Sequence, residues 1–219
     1  MTAPADPHAG TSTATAGVPL GGAARALVLV HGRGASAESI LGLAAEMRRA
    51  AGELPDGLAL LAPQAAGHTW YPYSFLAPEA QNEPFLTSAL GRLGALLAEV
   101  EAAGIAPAQT AIVGFSQGAC LALEFAARSD RRWGAVAALS GGLIGETLGP
   151  SRYRDGIAGT PVFLGCSDRD AHVPLARVRE SSAVLEELGA AVDERIYPGM
   201  PHTVNRDELE AVHALLAGL

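Results

Sequence analysis

Ala111-Ile112-Val113-Gly114-Phe115-Ser116-Gln117-Gly118-Ala119-Cys120 joins two local patterns without a linker. A short apolar run of β character ends at Gly114, and a helix-forming run, residues 117–128, starts directly after Ser116. Between them stands Gly-x-Ser-x-Gly, the pattern that sets a serine on a sharp turn from strand to helix. Backbone segments crowd at such a turn, so small residues are required two positions to either side. The serine hydroxyl then stands clear of the sheet at the positive end of a helix dipole, where developing negative charge is favoured. A bare Gly-x-Ser-x-Gly is also a glycine-rich turn with an incidental serine. The strand before it and the helix after it make Ser116 a candidate nucleophile.

Outward from this turn the same alternation continues. Upstream, residues 26–30 (Ala-Leu-Val-Leu-Val) form a continuous apolar run, as expected of a strand buried on both faces. His31-Gly32-Arg33-Gly34 is a tight turn, after which Ser36 can cap a helix over residues 39–51. Residues 58–62 read as a strand stopped by Pro63. Residues 64–81 show no period and carry Trp70, Tyr71, Tyr73 and Phe75, and a loop of that length is more often functional than filler. Asn82-Glu83-Pro84 opens a helix with an apolar stripe from Phe85 to Val100, ending near Gly104.

Downstream, strands are expected at 135–139, 161–164 and 192–197. A long loop covers 141–159, Pro174 opens a helix, and Asn205-x-x-Glu208 resembles a capping box for a last helix to Leu216. Strands alternating with helices predict an α/β fold, with a mostly parallel sheet covered on both faces. Residues 18–219 are read as a single domain and residues 1–17, rich in Ala, Thr, Pro and Gly, as a disordered tail.

The chain has 219 residues and a formal charge of −8, with no block of basic residues. That argues against nucleic acid or an anionic membrane as partner. Neither a secretory signal nor a membrane-spanning run is expected, and the location is read as cytoplasmic. Cys120 and Cys166 have no spacing of a zinc site or redox pair and are read as buried free thiols. The oligomeric state, monomer or homodimer, is left open.

In such a sheet the functional loops follow the carboxyl ends of strands. Those positions supply Ser116, then Ser167-Asp168-Arg169-Asp170, then His202. A serine hydroxyl needs a base to take its proton, and the base needs an acid to hold it in one tautomer. His202 is the candidate base, since His8 falls in the tail and His213 inside a helix. Asp168 and Asp170 both qualify as the acid on the residues alone.

Four segments resemble the phospholipase/carboxylesterase family of α/β-hydrolases, which includes acyl-protein thioesterases: Leu29-Val30-His31-Gly32-Arg33-Gly34, Gly114-Phe115-Ser116-Gln117-Gly118-Ala119, Asp168-Arg169-Asp170-Ala171-His172-Val173-Pro174 and Tyr197-Pro198-Gly199-Met200-Pro201-His202. The order Ser, Asp, His is that of α/β-hydrolases. The resemblance implies that the acid is Asp170, that the base is His202, and that backbone N–H groups of Arg33 and Gln117 form an oxyanion hole. It places Thr69-Trp70-Tyr71 beside the acyl site, so Trp70, Tyr71 and His172 are expected to contact substrate. Arg33 stands where an apolar residue is common, and Tyr71-Pro72-Tyr73 replaces a Phe-Asp segment, which brings the chain closer to small bacterial esterases than to acyl-protein thioesterases.

The expectation is therefore a serine esterase without cofactor or metal, with no separate lid domain and an open cleft for short to medium acyl chains. Three rivals are weaker. Gly32-x-Gly34-x-x-Ala37 fits a dinucleotide-binding turn, but the next strand ends in Pro63-Gln64 with no acid for a ribose. His68, Asp168, Asp170 and His172 lack metal-ligand spacing. A non-catalytic binding protein on the same scaffold would be expected to lack a triad member.

Overall fold

Successive side chains of a strand point to opposite faces, and here both faces are apolar because both are covered. In the computed structural model, which describes residues 6–219, the chain runs β1 (Thr13–Gly17), β2 (Arg25–Val30), α1 (Ala37–Ala51), β3 (Leu58–Pro63), α2 (Glu79–Asn82), α3 (Phe85–Ala102), β4 (Thr110–Phe115), α4 (Gln117–Arg128), β5 (Ala135–Leu139), β6 (Pro161–Ser167), α5 (Leu175–Glu187), β7 (Ala191–Tyr197) and α6 (Arg206–Ala217). Val28 and Val30 of β2, Ile112 of β4 and Val136 of β5 face one way, against Leu93 and Leu97 of α3, Leu121 of α4 and Val178 and Leu185 of α5. Leu27, Leu29, Val113, Ala137 and Phe163 face the other way, against Ile40, Leu43 and Met47 of α1 and Leu209, Val212 and Leu216 of α6. Parity along each strand thus decides which helix layer a residue meets.

The seven-stranded sheet has the order β1-β3-β2-β4-β5-β6-β7. All neighbours are parallel except β1, which runs antiparallel to β3 in the register Thr13↔Pro63 to Gly17↔Ala59. From β2 the chain builds outward to β3, and it then returns to place β4 to β7 on the opposite side. The order reverses between β2 and β4, which opens a crevice beyond their carboxyl ends, the general ligand position of such sheets.

Local signals survive into the structure at the helix ends. Ser36 caps α1 by accepting from Ser39 N–H, two residues earlier than the expected helix start, and Asn205 and Glu208 form the expected capping box on α6. The expectation that residues 1–17 are a disordered tail does not hold for the described part of that segment. Residues 1–5 lie outside the described residues, but Thr13–Gly17 is the edge strand β1, and Arg92 of α3 holds the segment before it by donating to Thr11 Oγ1 (3.2 Å). The physical reason is that β1 is bound through its backbone to the free edge of β3. Its side chains stay mostly exposed, so no apolar pattern marks it. No helix among the described residues is long and apolar enough to cross a membrane.

Candidate active site

Ser116 sits between β4 and α4 at φ 55° and ψ −120°, a strained conformation for a residue with a side chain. It is held there from both sides: its N–H donates to Leu139 O (2.9 Å) and its carbonyl accepts from Cys120 N–H (3.1 Å). The flanking glycines are required by space. A Cβ on Gly114 would lie 2.2 Å from the Gly118 carbonyl oxygen, and one on Gly118 would lie 2.1 Å from the Val30 carbonyl oxygen. The turn therefore packs β2, β4 and α4 backbone to backbone and leaves the serine hydroxyl outward.

His202, in the loop between β7 and α6, meets that hydroxyl with Nε2 at 2.9 Å from Ser116 Oγ. Its other nitrogen, Nδ1, lies 2.6 Å from Oδ2 of Asp170 in the loop after β6. A carboxylate only accepts, so Nδ1 carries the proton and Nε2 is left to accept from the serine. The Asp170 side chain has no solvent exposure, and its Oδ1 accepts from the N–H groups of His172 (2.8 Å) and Val173 (3.0 Å). Burial pushes the Asp170 carboxyl up. The bonds from His202 and the two amides outweigh it and hold the carboxyl below its usual range. Asp168, the other aspartate of this loop, accepts from Gly199 N–H (2.7 Å) instead and so ties down the loop that carries His202. The structure thus brings Ser116, His202 and Asp170 into one hydrogen-bonded line and leaves Asp168 beside it. The His202 ring is flanked by Phe115, with centroids 5.0 Å apart, and by His172 at 4.8 Å.

Gly32 packs against Ser116, a Cβ there lying 3.3 Å from that of the serine, so the turn after β2 faces the hydroxyl. The N–H groups of Arg33, in this turn, and of Gln117, at the start of α4, donate to no acceptor among the described residues. Opposite them the aromatic loop is fixed by partners that its own sequence does not announce. The Gln117 side chain spans it, Oε1 accepting from Trp70 N–H (3.0 Å) and Nε2 donating to Tyr71 O (2.8 Å). Arg33 donates to Pro72 O and Tyr73 O, both at 2.9 Å. Buried His31 accepts from Ala65 N–H through Nε2 (3.1 Å), and its carbonyl accepts from Trp70 Nε1 (2.9 Å). Buried His8 accepts from Ala66 N–H through Nδ1 (3.0 Å) and donates from Nε2 to Trp70 O (2.9 Å). Burial lowers the pKa of both imidazoles, in keeping with these neutral tautomers.

The cleft holds about 420 Å³, and its walls include Tyr71, Phe75, Phe115, Val173 and His172 around Ser116 and His202. Tyr71 and His172, expected to contact substrate, line this cleft. Trp70 does not. It is fully buried beneath the loop with its indole N–H on the His31 carbonyl, so it supports the wall and does not line the cleft. Cys120 also reaches the cleft, and burial first of all pushes its thiol up to about 12, which keeps it neutral. His68, exposed, is turned onto the Ala35 carbonyl (2.7 Å).

Residues 18–218 match the family model described as Phospholipase/Carboxylesterase. An acyl-protein thioesterase 1 of Gibberella zeae is 32% identical over 115 residues, covering 52% of this chain, which spans about half (49%) of that protein's length. One of Yarrowia lipolytica is 25% identical over 201 residues, covering 85% of this chain and 88% of the relative. The crystal structure of a phospholipase/carboxylesterase from Dyadobacter fermentans superposes with a TM-score of 0.87 at 43% identity, over 94% of this chain and 96% of the other. The chain belongs to the phospholipase/carboxylesterase family of carboxylic ester hydrolases.

Proposed function

We propose that the protein hydrolyses carboxylic esters or thioesters of short to medium acyl chains, with Ser116 as nucleophile, His202 as general base and Asp170 as the acid that orients it. The observation that supports this most directly is the continuous line from Ser116 Oγ through His202 to Asp170. In this reading Ser116 Oγ bonds to the substrate carbonyl carbon as its proton passes to His202 Nε2. The carbonyl oxygen becomes an oxyanion held by the N–H groups of Arg33 and Gln117, which have no other acceptor among the described residues. His202 then delivers the proton to the leaving oxygen or sulfur, the acyl group stays on Ser116, and a water deprotonated by the same imidazole releases it as the acid. Asp170 stays ionised throughout and stabilises the imidazolium.

The reaction needs no cofactor. Tyr71, Phe75, Phe115 and Val173 would pack against the acyl chain, and the two buried free thiols suit a cytoplasmic setting. A p-nitrophenyl ester series from acetate to palmitate tests the reading, with Ser116→Ala, His202→Ala and Asp170→Asn alongside. Each variant is expected to lose on the order of 10³-fold or more in turnover, with the shorter esters the better substrates. Retention of activity by Ser116→Ala would overturn the assignment. Inert wild-type protein would favour a binding protein on this scaffold.

A further inference from the structure

We propose that the ester served by this site carries an anionic group, a carboxylate or a phosphate, which Arg33 binds at the mouth of the cleft. The inference rests on the esterase reading and narrows it to a class of substrate. The charge lining supports it. Among the described residues, Arg33 is the single formally charged one that lines the cleft, and no carboxylate lines it. The chain as a whole carries −8, so its general surface repels anions and this cleft is an exception to it. The Asp170 carboxylate lies behind His202, fully buried and already accepting from three donors.

Arg33, like Arg92 and Arg132, is an arginine whose guanidinium bonds to neutral oxygens, where several others pair with carboxylates. Arg128 pairs with Glu124 and Glu79, Arg131 with Glu101, Arg195 with Asp193 and Asp207, and Arg206 with Glu210. Arg33 has no carboxylate partner among the described residues. Its guanidinium donates from Nη1 to Pro72 O and from Nη2 to Tyr73 O. Those neutral carbonyls fix the guanidinium in place without cancelling its charge, and they leave further N–H donors unspent. A planar fork held in one orientation beside an apolar cleft is suited to a carboxylate or phosphate oxygen. Arg33 and Ser116 line the same cleft, so a substrate seated on the serine passes this residue. Exposed His172, also in the lining, adds a further imidazole N–H to the same cleft.

The decisive experiment compares matched esters at low ionic strength. On the acyl side, the p-nitrophenyl monoester of glutarate is set against p-nitrophenyl valerate. On the alcohol side, m-carboxyphenyl butyrate is set against m-carbamoylphenyl butyrate. In one of the two arms kcat/KM should favour the anion by about fivefold or more, chiefly through KM, and that ratio should shrink as salt is added. Arg33→Gln should abolish the preference and Arg33→Lys should keep part of it. The arm that responds says whether the acid or the alcohol half bears the charge. Equal rates within both pairs for the wild type would overturn the inference and leave the esterase reading standing. So would Arg33→Gln lowering both members of a pair alike, which would make Arg33 only a clamp on the aromatic loop. Failure of wild-type protein to cleave any of the four would remove the esterase reading and this one with it. Should Arg33→Gln fail to fold, Arg33→Lys and the wild-type salt dependence decide the matter.

Discussion

Replacing Glu208 with Gln should make the protein more stable at alkaline pH and flatten the dependence of its stability on pH. Glu208 lies in the first turn of α6, fully buried, with Oε2 accepting from Asn205 N–H (2.8 Å) and Oε1 without a hydrogen-bond partner among the described residues. Oε1 faces Gly165 of β6, where a Cβ would lie 2.3 Å from it, so the strand beneath offers no side chain to answer the charge. Burial raises the carboxyl from its ordinary 4.5 to about 7, against the Asn205 bond, with neighbouring Asp207 adding repulsion.

Between pH 4.5 and 7 the folded protein therefore holds a proton that the unfolded chain has released. Stability falls as pH rises through that window, by about 3 kcal/mol in all. The Gln side chain keeps an acceptor for the Asn205 N–H and carries no charge at any pH. At pH 8.5 the variant should then unfold about 6–12 °C higher than wild type, and at pH 5 the two should nearly coincide. Thermal unfolding of both proteins at a series of pH values from 5 to 8.5 is the assay, and the difference cancels every other titrating group. Parallel curves across that range would refute the argument that an uncompensated carboxylate is buried here.

The Gln117 side chain is expected to hold the aromatic wall. Gln117→Ala leaves Trp70 N–H and Tyr71 C=O buried without partners, so about 2–4 kcal/mol of stability should be lost and KM should rise for every acyl ester. Unchanged unfolding temperature and KM would show the loop to be held by other contacts. Gly118→Ala forces a methyl to 2.1 Å from the Val30 carbonyl oxygen, where only backbone movement of β2 against α4 can relieve it. The variant should lose about 1–3 kcal/mol and most of its turnover, and equal stability and activity would contradict the close approach seen at this turn.

Much of the architecture is local information and so is legible in the chain. Apolar runs such as Ala26–Val30 and amphipathic stripes such as Leu86, Leu93 and Val100 announce strands and helices because their spacing matches the geometry of each element. Gly114 and Gly118 mark the turn at Ser116 because only a residue without Cβ fits there. The cap at Ser36 and the capping box Asn205–Glu208 act within a single turn of helix, and both form.

What the chain could not announce lies in contacts between residues far apart along it. Residues alone leave Asp168 and Asp170 equivalent; folding turns one to His202 and the other to the Gly199 amide, 32 and 31 residues away. Trp70 looks like a wall residue until His31 and His8 are seen to draw it beneath the loop. The edge strand β1 carries no apolar pattern because its partner is a backbone edge, and backbone hydrogen bonding is blind to side-chain identity. By itself, then, the sequence determined the central strands and the long helices, the turn at Ser116 and the candidates for the chemistry, since these depend on neighbours within a few residues. Only the tertiary structure decided which candidate meets which and what holds the walls of the cleft, since hydrogen-bond geometry exists only once distant segments have packed.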